Sequence, residues 1–307
     1  MSVKVAITGA TGVIGRAAVR RLVAEGHEVV GLARTPAKAG LLESLGARAR
    51  PADMFDPESL VRLVEGCDAV VNLATHIPVG LAGVLPGAWR QNDRLRTVGV
   101  RNVVDAARTV GVRRIVQESV SYLYADQGEE WVTEESPLMI TRATEPASVA
   151  ESLVQEYACR SRAGVVLRLG TIVGDDGLTR YWLRSAQHGG PVAAGDPRGW
   201  VHLVHTDDLG SAVLAALGVT SGVYNVGAEP VRREELVLGY AEAVGRSSAA
   251  TMGPWLRRLA GARLEPLTRS LRVSAEHFTA QTGWVPRRRD FDASWFDVVT
   301  EEHRAAR

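Results

Sequence analysis

Two sets of residues in this 307-residue chain have the types and spacing to do chemistry. The first is Gly9-Ala10-Thr11-Gly12-Val13-Ile14-Gly15, three glycines placed three apart. A tight turn at Gly9 and a bare backbone at Gly12 would bring the N–H groups around Thr11, Gly12, Val13 and Ile14 against a pyrophosphate, and Gly15 lets a following helix close on the strand before it. The second set handles protons: Glu118, Ser119, Tyr122 and Tyr124 in one stretch, and His76 after an earlier apolar run. Carboxylate, hydroxyl, phenol and imidazole are the groups that pass protons to and from a small substrate. Glu118 is the sharpest of them, because a sheet interior disfavours charge unless it is paired or functional. It is read either as a base in a cleft or as the partner of an arginine on a neighbouring helix.

The elements that must position these residues alternate from the start of the chain. Val3 to Ile7 are short, apolar and β-branched, as a strand buried on both faces requires; Arg16 to Glu25 repeats at helical spacing; Glu28 to Ala33 is a second strand. Thr35-Pro36 starts a helix with a cap residue and a proline at its first position. Ala47 to Arg50, Asp68 to Leu73, Arg113 to Glu118 and Gly164 to Leu169 read as further strands, and Pro57 to Glu65, Trp89 to Val110 and Val149 to Ser161 as the helices between them. The pattern is that of an α/β protein with a doubly wound parallel sheet. Such sheets bind ligands beyond their carboxyl ends, which places Glu118, Ser119 and His76 at the cleft. The Gly- and Pro-rich loop from Thr75 to Gly87 is expected to form a lid or wall, the acidic stretch from Ala125 to Ser148 a solvated loop, and Trp200 to Val204 and Val223 to Val226 returns to the sheet.

The end of the second strand chooses between nicotinamide cofactors. An acid about 20 residues past the glycines would bind the ribose 2′-hydroxyl of NAD, whereas a basic group accommodates the 2′-phosphate of NADP. Here Leu32-Ala33-Arg34-Thr35 holds no acid, Arg34 offers a planar fork, and Lys38 follows one helical turn on. NADP is therefore favoured; the alternative is that Arg34 only caps the strand and the site accepts NAD as well.

Composition narrows the partners. The 36 Lys and Arg nearly balance 35 Asp and Glu, so nothing favours nucleic acid or a membrane surface, and a small molecule is the expected substrate. No apolar run approaches the roughly 20 residues that span a bilayer. Cys67 and Cys159 each fall inside a predicted element, which points to buried thiols in a reducing compartment, and a soluble cytoplasmic protein is expected. Only Lys4 and Lys38 are lysines.

The run Thr8-Gly9-Ala10-Thr11-Gly12-Val13-Ile14-Gly15 resembles the extended short-chain dehydrogenase/reductases, the NAD(P)-dependent epimerase/dehydratase family. Asp53-Met54 looks like that family's adenine-edge contact and Asn72-Leu73-Ala74, continued by Thr75, like its fourth-strand motif. Gly99 to Ala106, Val166 to Gly170 and Val204-His205-Thr206-Asp207-Asp208-Leu209 resemble later family elements. The resemblance implies a Rossmann domain, residues 1–170 with about 200–226, and a discontinuous substrate lobe, 171–199 and 227–307. It also implies a homodimer through the helices Trp89 to Val110 and Val149 to Ser161. Arg180 and His188 would fall in the lobe, and His205, Asp207 and Asp208 would tie it to the sheet.

One family feature is missing. Members carry a Ser or Thr after the fifth strand and a Tyr-x-x-x-Lys pair, in which Tyr passes a proton and Lys holds the nicotinamide ribose. Counting from Ala150-Glu151-Ser152-Leu153-Val154 puts the Tyr at Ala143 and the Lys at Ala147; the serine falls at Val120, between Ser119 and Ser121. With no lysine after Lys38, no shift of register restores the pair. Three functions follow as expectations: an NADP(H)-dependent oxidoreductase or epimerase with an unusual proton donor; a non-redox lyase, isomerase or cyclase using Glu118 or His76; or a catalytically silent NADP(H) sensor.

Overall fold

A computed structural model describes residues 2–85, 87–253 and 263–300. Segments 254–262 and 301–307 of the expected lobe lie outside the described residues. Seven parallel strands form the central sheet: β1 (Lys4–Thr8), β2 (Glu28–Ala33), β3 (Arg48–Pro51), β4 (Ala69–Asn72), β5 (Arg114–Val120), β6 (Ala163–Leu169) and β7 (Gly222–Val226). Their order across the sheet is β7-β6-β5-β4-β1-β2-β3. The chain thus winds outward in one direction from β1 through β2 and β3, then crosses back to β4 and winds the other way.

Alternate residues of these strands feed two apolar layers. Val5, Ile7 and Val71 pack with α1 (Val13–Ala24) on one face, while Ala6, Val70 and Ile115 pack on the other with the apolar sides of the helices Pro57–Val64 and Val100–Val110. Capping explains where the helices begin. Thr35 caps α2 (Pro36–Ser44) through the Lys38 N–H, and Asp56 caps α3 (Pro57–Val64) through the Glu58 and Ser59 N–H groups, each with proline in the first turn. The long helix predicted from Trp89 is continuous but not uniform: α4 (Arg90–Arg94) runs through a π-helical turn, Leu95–Gly99, into α5 (Val100–Val110).

Three expectations need correction. The helix placed at Val149 to Ser161 is α6, Glu145–Gln155, which starts four residues earlier because Pro146 suits its first turn and ends where Tyr157 turns inward to donate its hydroxyl to the Val112 carbonyl. Cys159 therefore lies outside the helix and is exposed, whereas Cys67 is buried as expected. Trp200 to Val204 does not rejoin the sheet. The sheet edge beside β6 is filled by β7, so Leu203–His205 pairs instead with Thr171–Val173, the continuation of β6 beyond Gly170, and Trp200–Val201 pairs with Val231–Arg232.

Above the carboxyl ends of the strands a third apolar cluster joins α7 (Gly177–Gln187) and α9 (Arg233–Ala243) through Leu183, Leu236, Tyr240, Trp295 and Phe296. It is tied down by polar contacts. Asp208, in α8 (Thr206–Ala216), accepts the Arg287 and Arg288 N–H groups at 2.7 and 3.1 Å, and His205 Nε2 lies 3.2 Å from the Trp295 carbonyl. Among the described residues no helix is long and apolar enough to cross a membrane.

Candidate functional site

A single cavity of about 1140 Å³ runs from the glycine turn, along the carboxyl ends of β1, β4 and β5, into the space under α7 and α9. Its first section fits a dinucleotide. Gly9, at φ +68°, sits so close to β4 that a Cβ there would lie 2.4 Å from the Leu73 carbonyl oxygen, and a Cβ on Gly15 would lie 2.1 Å from the Gly9 carbonyl oxygen. Gly9 and Gly15 are thus required by contact, not by turn geometry alone, whereas a Cβ on Gly12 would lie 3.2 Å from the Gly9 carbonyl oxygen. Gly12 is the N-cap of α1 and supplies no capping side chain, and the first turn holds no acid. The N–H groups at this helix start are left to an anion, and Gly9, Thr11, Gly12, Val13 and Ile14 line the wall there. Gly15 does not line it; its part is to seat α1 on the sheet.

At the end of β2 the cavity is lined by Leu32, Arg34, Lys38, Asp53 and Met54, where the sequence places the adenosine contacts. Asp53 Oδ1 accepts the Phe55 N–H at 2.8 Å, which leaves its other oxygen for a ligand. Leu73, Ala74 and Thr75 line the next section. A buried polar chain fixes the strand ends beneath it: Thr8 donates to Asn72 Oδ1, Asn72 Nδ2 donates to Gln117 Oε1 at 2.7 Å, and Gln117 Nε2 donates to the Glu118 carbonyl at 2.7 Å. Three neighbouring strands are held level beneath this section of the cavity.

The proton-handling residues separate into two groups. Glu118, Tyr122 and His76 line the cavity; Ser119 and Tyr124 do not. Because β5 continues to Val120, Ser119 is a strand residue, and its hydroxyl donates to Glu151 of α6. Glu151 is also gripped by Arg168 at 2.6 and 3.0 Å, and the Arg168 guanidinium covers the Tyr124 ring. The Tyr124 hydroxyl donates to Asn225 at 2.7 Å, and burial pushes its phenol up to about 12. Both residues belong to a structural network behind the strand ends.

Glu118 takes the paired alternative. Its Oε1 accepts Arg96 Nη2 at 2.9 Å, both side chains are 5% exposed, and Arg96 also lines the cavity. Desolvation drives the Glu118 carboxyl upward and the Arg96 guanidinium opposes it. Tyr122 shares its hydroxyl with Thr171, and burial raises that phenol as well. The loop from Thr75 onward forms a wall of the cavity, as expected. Ala143 and Ala147 both face the cavity, so the positions assigned to the missing Tyr and Lys are part of its lining and present only methyl groups.

The section under α7 and α9 is walled by aromatic and aliphatic groups, among them Trp89, Tyr181, Trp182, Trp200, Leu236 and Tyr240. Arg233 is buried there and donates to the main-chain carbonyls of Asp196 and Arg269, whereas Arg269 and Arg263 are matched by the carboxylates of Glu265 and Asp93. His202 is buried against the cavity with neither ring nitrogen bonded, and desolvation holds its pKa down to about 3. Ser121, like His202, is buried at the wall with an unpartnered polar atom. His188, expected in the lobe, is exposed with Nδ1 2.8 Å from the Arg184 carbonyl, and Arg180 pairs with Asp175 at 2.6 Å; neither lines the cavity. Sequence reasoning gave no role to Arg96, His202 or Arg233. Their arginine and histidine types were visible, but only the tertiary fold turns them inward.

Comparison with known proteins places this geometry. The model of the NAD dependent epimerase/dehydratase family matches residues 5–227. A 3-diazoavenalumate denitrifying reductase from a Streptomyces species is 32% identical over 319 residues, covering 97% of this chain and all of that protein. A 2-alkyl-3-oxoalkanoate reductase from Shewanella oneidensis is 30% identical over 135 residues, 43% of this chain and 32% of that protein. Among solved structures, MoeE5 in complex with UDP-glucose and NAD superimposes with a TM-score of 0.78 at 23% identity, covering 99% of each chain. The UDP-glucose 4-epimerase of Thermotoga maritima with UDP-glucose gives 0.79 at 17% identity, again over 99% of each. With a family model spanning the whole Rossmann sheet and a relative matched end to end, the chain belongs to the NAD dependent epimerase/dehydratase family.

Proposed function

We propose that the protein is an NADP(H)-dependent reductase of a small aromatic acid carrying a diazo group, a substrate that accepts hydride and releases dinitrogen. The observation that carries this reading is the pair of alanines, Ala143 and Ala147, in the wall of a cavity that otherwise fits a dinucleotide. Reducing a carbonyl needs a proton on the oxygen, and a positioned acid contributes ~10²–10⁴-fold to such a step. The reduced nicotinamide supplies hydride, and a diazonium carbon that gains one hydride and loses one dinitrogen balances in atoms and charge with no proton drawn from the protein. A site for that chemistry has no use for the proton that the Tyr of the Tyr-x-x-x-Lys pair would pass. The end-to-end match to a denitrifying reductase supports the same substrate class.

The chain's residues then have plain tasks. Gly9, Thr11, Gly12, Val13 and Ile14 hold the pyrophosphate; Arg34 and Lys38 favour the 2′-phosphate of NADP over the NAD hydroxyl; Asp53, Met54, Leu73, Ala74 and Thr75 complete the cradle. Trp182, Trp200 and Tyr240 offer flat apolar walls to an aromatic ring and keep water out. Arg233, bonded through its guanidinium to carbonyls, retains charge for a substrate carboxylate. Glu118, neutralised by Arg96, is not assigned as a base.

The test is to incubate the protein with NADPH and an arene diazonium carboxylate, following nicotinamide absorbance and evolved gas, with a panel of ketones alongside. One dinitrogen per NADPH oxidised, with the ketones untouched, is expected. Ketone reduction at a comparable rate, or product formed with no NADPH oxidised, contradicts the reading.

A further inference from the structure

We propose that Arg96 and Glu118 together clamp the hydroxyls of the nicotinamide ribose, taking over from a different helix the task that the lysine at position 147 has in other family members. The inference rests on the dinucleotide reading above and deepens it.

The first observation is an unfinished ion pair. Arg96 and Glu118 share one hydrogen bond, Nη2 to Oε1 at 2.9 Å, yet Arg96 Nη1 and Glu118 Oε2 are buried with no partner. Leaving a charged group's donor or acceptor unmet in the interior is costly, so an ordered water or, where the residue borders a cavity, a ligand completes the bonding of such atoms. Both residues line the cavity.

The second observation is what these two unmet atoms present. They offer one donor, Nη1, and one acceptor, Oε2, from a pair that is neutral overall. A phosphate has only acceptors and would be repelled by Glu118; an apolar ring has neither. A hydroxyl donates and accepts, and a vicinal diol can meet both atoms at once.

The third is position. Across the sheet the strands run β2, β1, β4, β5, and their carboxyl ends present in turn Arg34, the glycine turn, Leu73 to Thr75, and Glu118. A dinucleotide laid along that edge with its adenosine ribose at Arg34 and its pyrophosphate at Gly12 puts its second ribose next in line, toward Glu118. Ala147 lines the same cavity and reaches it with no charge of its own. Arg96 comes instead from the π-helical turn Leu95–Gly99, which packs against α6. The extra residue in such a turn redirects a side chain that a regular helix would aim elsewhere, and π turns recur at functional sites.

The test is dinucleotide affinity, read by calorimetry, against 2′,5′-ADP, which has the adenosine end and no nicotinamide ribose. Arg96→Met/Glu118→Leu removes both charges together and so avoids stranding one in the interior. Its Kd for NADPH is expected to rise about tenfold or more, as for loss of a hydrogen bond to a charged group, while its Kd for 2′,5′-ADP stays at the wild-type value. Arg96→Lys, which keeps Glu118 neutralised but lacks the second guanidinium nitrogen, is expected to show a smaller loss of the same selectivity and serves where the double variant fails to fold. Unchanged NADPH affinity in a folded variant, or equal losses for both ligands, overturns the clamp and leaves the dinucleotide site standing. Wild-type protein that binds neither ligand overturns both.

Discussion

Arg34 and Lys38 line one end of the cavity as a planar fork and a point charge, and the proposed preference for NADP rests on them. Arg34→Ala is expected to weaken NADPH about tenfold or more and to leave NADH nearly unchanged, since only the former brings a phosphate to the guanidinium. Competition titrations check it; parallel losses for both nucleotides would show that Arg34 reads no phosphate. At this scale the sequence was informative where chemistry follows from spacing. The glycines, Arg34 and the two alanines could be placed by counting, and each lines or shapes the cavity where counting put it. Counting failed where a side chain's direction mattered. Ser119 and Glu118 are adjacent, yet one hydroxyl turns to Glu151 and the other side chain to Arg96 and the cavity. Strand alternation separates neighbours in this way, and the choice of face for Ser119 depended on β5 running two residues beyond its predicted end.

The decisive element is the join of β1 to α1. Gly15→Ala would set a methyl 2.1 Å from the Gly9 carbonyl oxygen, so α1 must lift from the sheet and carry its N-terminus away from the pyrophosphate. Overpacking of this kind typically costs about 1–3 kcal/mol. Thermal unfolding should fall by several degrees, and dinucleotide affinity should drop further than the stability loss alone explains; a variant with wild-type affinity would show that the close approach is dispensable. Strand β1 was legible from its β-branched run and α2 from its cap and proline, and the alternation they began carried the assignments of β2, α3, β4 and β5. The π turn was not legible: Thr97, Val98 and Gly99 are weak helix formers, but that does not distinguish a π turn from a regular one, and the turn packs against α6. Trp200 to Val204 misled for a related reason: its apolar residues suit a strand, but its partner is set by which sheet edge is already filled.

For the molecule as a whole, the cavity joins the sheet to the helices above it, and His202 lies at that junction, its carbonyl accepting the Thr171 N–H at 2.8 Å. Its pKa is depressed by burial to about 3 from 6.5, so the folded protein keeps the ring neutral while the unfolded chain protonates it. The stability this gives is complete above pH 6.5 and drains away as pH falls toward 3. Between pH 7 and pH 5 wild type should lose about 2 kcal/mol more than His202→Phe, measured by urea unfolding at each pH. Coincident acid limbs would contradict it. The most direct test of the central claim, hydride delivery without a proton from the protein, is a single-turnover isotope experiment with an arene diazonium carboxylate. Turnover is predicted to slow when both hydrogens at C4 of NADPH are deuterium and to be indifferent to replacing water by D2O. A rate insensitive to the cofactor label, or one markedly slowed by D2O, would contradict the account.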